Sequence, residues 1–124
     1  MYLTGAPHPH KADAQVVLEK IVASGERIVT DAEVLQEVLH RFSAIKRPDA
    51  IPHAIQLILE IADEVFAIEK SDVLRAAEIV QNPAGLSARD AIHVAIMERH
   101  GVRSIFSFDA DFNRWPGLTR LYRI

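Results

Sequence analysis

The chain has 124 residues, 49% of them hydrophobic, which suits one domain with its own core and leaves too little length for a second. It contains no cysteine, so disulfides and thiolate metal sites are excluded and a reducing compartment is compatible. A net charge of -3 lacks the basic excess of a protein that grips nucleic acid mainly through phosphate neutralisation. Basic residues such as Arg41, Arg89, Arg103 and Arg120 remain, so composition neither supports nor excludes a nucleic-acid substrate.

The start, Met1-Tyr2-Leu3-Thr4-Gly5, lacks the basic and apolar regions of a signal peptide, and no apolar run reaches membrane-spanning length. A soluble cytoplasmic protein is expected. Gly5 to His10 reads as a loop, followed by a helix from about Lys11 to Ala23 that Ser24-Gly25 ends. Arg27 to Thr30 is a short β-branched run and reads as a buried strand. A helix opened by Thr30 or Asp31 comes next, with Glu33 in capping-box position to Thr30 and Val34, Leu35, Val38, Leu39 and Phe42 toward the core. Pro48 and Pro52 interrupt, and another helix runs from near Ile51 to Ile61. Val65 to Ile68 reads as a strand. A helix over Ser71–Gln81, with Val73, Leu74, Ala77 and Val80 inward, stops at Asn82-Pro83. Ser87 to Asp90 opens a helix whose residues Ala91 to Met97 are apolar nearly all the way round, which predicts a buried helix. After Gly101 come a strand from Ser104 to Phe108, an acidic turn at Asp109-Ala110-Asp111, and a last edge strand around Leu118 to Tyr122.

Alternating helices and strands favour a parallel sheet with helices on its faces. In that geometry Glu37, early in the helix after the first buried strand, Asp90, in the first turn of the helix before Ser104, and Asp109, just past the next strand, all belong to the carboxyl edge where open α/β sheets bind ligands. Each acid has a plainer alternative: Glu37 a solvated or Arg41-paired carboxylate, Asp90 a capping partner of Ser87, Asp109 a turn former, and Asp111 a cap for the turn that follows. Three converging carboxylates with no cysteine suit a hard cation, Mg2+ or Mn2+, and with it phosphodiester hydrolysis. His8 and His10 lack a third ligand nearby, and His93, one turn after Asp90, reads as a hydrogen-bonded helix histidine that could touch the site.

Three stretches, Val29 to Val38, Ser87 to Ala95 and Ile105 to Phe112, resemble the PIN domain, in particular its VapC-like toxins. The resemblance implies a three-layer α/β/α fold with a central parallel sheet and a metal-dependent endoribonuclease acting on transfer or ribosomal RNA. It implies Glu37, Asp90 and Asp109 as metal-binding acids, Asp111 as an accessory one, and Ser107 as the small hydroxyl residue of the strand. It also implies a homodimer silenced by a cognate antitoxin. The family's first strand, which ends in another metal-binding Asp, is expected to be missing: Met1-Tyr2-Leu3 matches the helix that follows that strand. On this reading either translation begins upstream or the form is truncated. The alternative function is then an impaired PIN-like domain that only binds RNA or antitoxin.

Overall fold

A computed structural model describes residues 27–83 and 85–106, strand residues 2–3 and 119–121, and the isolated positions Glu19, Ala23 and Gly25. Five parallel strands form one sheet in the order β3-β2-β1-β4-β5: β1 (Tyr2–Leu3), β2 (Val29–Asp31), β3 (Glu64–Phe66), β4 (Ser104–Phe106) and β5 (Thr119–Leu121). Tyr2 lies opposite Val29 on one side and Ile105 on the other, and Leu3 lies opposite Phe106. The expectation that the sheet lacks its first strand, with Met1 to Leu3 in a helix, is therefore corrected. The short apolar pair Tyr2-Leu3 fills the central position, where it supplies backbone partners that β2 and β4 would otherwise leave open on their facing edges. Strand order reverses at β1, which makes the carboxyl ends of β1, β2 and β4 the place where an open α/β sheet presents a crevice.

Among the described residues four helices are complete: α1 (Ala32–Ala44), α2 (Ile51–Ile61), α3 (Lys70–Val80) and α4 (Ala88–His100), with a short 3-10 turn at Pro48–Ala50 before α2. α4 is the buried helix that its composition predicts, for Ala91 and His93 to Met97 are all buried. Ser87 caps its start by accepting the Asp90 N–H at 3.2 Å. Gly101, at φ 68°, closes its end in a left-handed turn, and the Val102 N–H returns to the Met97 carbonyl. Val29, Phe66, Ala76, Ile79, Leu86 and Ile105 complete the core around it.

Three local expectations change. Leu39 of α1, expected toward the core, is exposed. Asp31, not Thr30, caps α1, its Oδ1 accepting the Val34 N–H at 3.0 Å, so no Thr30–Glu33 capping box forms. The inward face of α3 is turned by one residue, about 100° on a helix. Asp72, Ala76 and Ile79 are buried, whereas Val73, Leu74 and Val80 are exposed. The reason is ionic: Asp72 accepts two hydrogen bonds from Arg99 of α4, at 2.8 and 2.9 Å, and one from the Glu69 N–H at 2.8 Å. A paired acid has displaced the apolar stripe as the feature that sets the phase of the helix. No described helix is long and apolar enough to cross a membrane.

Candidate active site

The carboxyl ends of β2 and the amino end of α4 come together through side chains. Asp31 is the last residue of β2 and is fully buried. One carboxylate oxygen caps α1, and the other accepts a hydrogen bond from His93 Nδ1 of α4 at 2.6 Å. One turn farther along α1, Glu37 meets Arg89 of α4 at 3.3 Å and Arg41 of its own helix at 3.8 Å. Arg89 immediately precedes Asp90, so Glu37 and the first turn of α4 face each other across the site.

The two acids differ in setting. The Glu37 side chain keeps 18% of its surface exposed and holds two arginines that are more exposed than itself. Asp90 is half-buried, and its main-chain N–H is the one that Ser87 caps, so its cap role and its site position coexist. Behind them lies a second row. Burial pushes the Glu33 carboxyl up, the charge of His93 pulls it back, and Asp31 adds to the rise, leaving it above the usual glutamate range. Burial also pushes the His93 imidazole down, yet the Asp31 hydrogen bond and the charges of Asp31, Asp90 and Glu33 raise it overall.

Asp109, Asp111, Ser107, His8 and His10 lie outside the described residues. Among the described residues no three His, Asp or Glu side chains cluster closely enough to hold a metal ion. Sequence reading singled out neither Asp31 nor Arg89. Asp31 was nevertheless legible by the criterion applied to Asp109, an acid at the carboxyl end of a parallel strand. Arg89 had no such signal, because an arginine beside a helix start is ordinarily a solvated residue.

The PIN domain profile matches residues 1–118. Among characterised proteins, ribonuclease VapC13 of Mycobacterium tuberculosis is 51% identical over 121 residues, spanning 98% of this chain and 92% of its own. Ribonuclease VapC23 of the same species is 34% identical over 109 residues, 88% of this chain and 86% of its own. Among solved structures, M. tuberculosis VapC20, described as a sarcin-ricin loop cleaving toxin, superposes with a TM-score of 0.71 at 20% identity, covering 90% of this chain and 92% of that one. A toxin-antitoxin complex from Klebsiella pneumoniae gives a TM-score of 0.64 at 14% identity, covering 99% and 98%. With its sheet order and these likenesses in hand, the chain belongs to the PIN domain family, in its VapC-like branch.

Proposed function

We propose that this chain is an endoribonuclease, the toxin of a toxin–antitoxin pair, that hydrolyses RNA phosphodiester bonds with Mg2+ or Mn2+ held by Glu37, Asp90 and Asp109 and with Asp111 in support. The observation that carries the reading is the approach of Glu37 on α1 to the first turn of α4 beside Asp90, at the crevice made by the strand-order reversal. The ribonuclease names of the two relatives support the reaction, and the antitoxin complex among the structural neighbours supports the partner. The donor chemistry fits the metal: carboxylate oxygens suit a hard cation, and Glu37 already draws two guanidinium groups. When bound, such a cation polarises the phosphodiester and lowers the pKa of the attacking water. The chain's own residues hold the geometry. Glu37 is carried by α1 and Asp90 by the first turn of α4, while Asp31 is hydrogen-bonded to His93 and to the Val34 N–H.

One observation favours a second reading. Neither residue of β1, Tyr2 or Leu3, is acidic, so this strand itself brings no carboxylate to the site. The chain would then bind RNA or antitoxin without cleaving. Induced expression separates the two in a bacterial host: the nuclease arrests growth and the Glu37→Gln variant does not, whereas a binding-only domain leaves growth unchanged in both forms.

A further inference from the structure

We infer that Asp31 and His93 are positioning residues for the nuclease site, a buried hydrogen-bonded strut that sets the distance between the helix carrying Glu37 and the helix carrying Asp90. The inference deepens the proposed function and rests on it. The Asp31 side chain is 0% exposed and that of His93 3%, and the two meet at 2.6 Å across sixty-two residues of sequence. His93 follows Asp90 by three residues and so stands on the same face of α4. Asp31 uses its other oxygen to cap α1, whose second turn carries Glu37. Each end of the strut is therefore rigidly joined to one of the metal-binding acids.

Stability alone does not call for this arrangement. A buried ionisable pair generally contributes no more than an apolar pair of the same volume, because desolvation offsets the attraction. What a hydrogen bond of fixed direction adds is register, and α4 needs it at this end. The ion pairs at its far end, Arg99 with Asp72 and Arg75 with Glu98, both join α4 to α3, well away from α1. Along its middle, α4 contacts the core through smooth apolar side chains such as Val94, Ile96 and Met97, which tolerate small slips. Groups that orient metal-binding residues from behind commonly change metal affinity by about ten- to a hundred-fold when removed.

The test uses two amides that differ only in where they place the donor. His93→Asn puts its N–H close to the position of Nδ1, and His93→Gln puts it close to Nε2. Mn2+ binding to the purified chain, read as loss of the free-ion EPR signal, gives affinity without reference to cleavage. The strut predicts that His93→Gln weakens Mn2+ binding by about ten-fold or more and that His93→Asn restores it to within about three-fold of wild type, both variants being folded at the assay temperature. Equal Mn2+ affinity in both variants, whether wild-type or impaired, overturns the proposal while leaving the metal site standing. Absence of Mn2+ binding in wild type overturns the proposed function and the strut with it. Should His93→Gln not fold, Asp31→Asn carries the test, since it keeps the α1 cap and weakens only the bond to His93: a ten-fold loss is expected, and wild-type affinity refutes the inference.

Discussion

Replacing His93 by leucine leaves Asp31 buried with a single hydrogen bond, from the Val34 N–H, where the folded chain gives it two. The volume is nearly conserved, so packing changes little and the cost is electrostatic. Removing one partner of a buried pair typically costs about 3–5 kcal/mol, because the remaining charge is stranded. With no exposed surface on Asp31, little of that is recovered by water. For a domain of this size about 3–5 °C follows each kcal/mol, so His93→Leu should lower the melting temperature by about 10–20 °C. Adding Asp31→Ser, which keeps a cap but removes the carboxylate, should recover most of the loss and leave a deficit under about 2 kcal/mol. The pH dependence has a definite sign. His93 titrates above its ordinary 6.5 in the folded chain, so the contribution of the pair is complete below the unfolded value and fades as pH rises through the folded one. The gap between wild type and His93→Leu, followed by urea denaturation, should therefore be widest just below pH 6.5 and narrow in alkali. A loss below about 1 kcal/mol at that pH, or no recovery in the double variant, would refute the reasoning.

Further expectations concern α3, α4 and the metal. Asp72→Asn keeps shape but gives up the charge that Arg99 holds; a loss of about 1.5–3 kcal/mol is expected in urea melts. Burial pushes the Asp72 carboxyl up, but the Arg99 hydrogen bond, the Glu69 amide and the charge of Arg99 hold it below the ordinary 3.8, so its contribution is present above that value and disappears as pH falls through the folded one. Acid melts of Asp72→Asn should accordingly converge with wild type at the lowest pH. Gly101→Ala meets no steric neighbour, yet φ of 68° disfavours a β-carbon, and about 1 kcal/mol of stability should be lost without change in Mn2+ binding.

The course of α4 could be read directly from residues, because three independent signals agree: a Ser87 cap, apolar residues on every side, and Gly101 at the stop. Its placement of Asp90 at the carboxyl edge followed from strand direction alone. The phase of α3 could not, since a stripe of Val73, Leu74, Ala77 and Val80 looks like a core face until the long-range partner of Asp72 is known. Likewise Leu59 and Leu57 of α2 and Leu39 of α1 stay exposed although their helices are apolar. Periodicity tells which residues share a face; it does not tell which face the rest of the chain will cover. Tyr2-Leu3 was misread for a related reason. Two residues carry no period, and their strand character comes only from the two edges they join.

The central claim is that Glu37 and Asp90 belong to a metal-dependent ribonuclease site. It is tested most directly by incubating the purified chain with a total transfer RNA pool in Mg2+ or Mn2+, beside Asp90→Asn prepared identically and a wild-type sample with excess EDTA. That substitution leaves the main-chain N–H to Ser87 in place, so the fold should survive it. The account predicts discrete cleavage by wild type that both controls abolish. Cleavage that persists in Asp90→Asn, or RNA left intact by a folded wild-type chain that binds the pool, would contradict it.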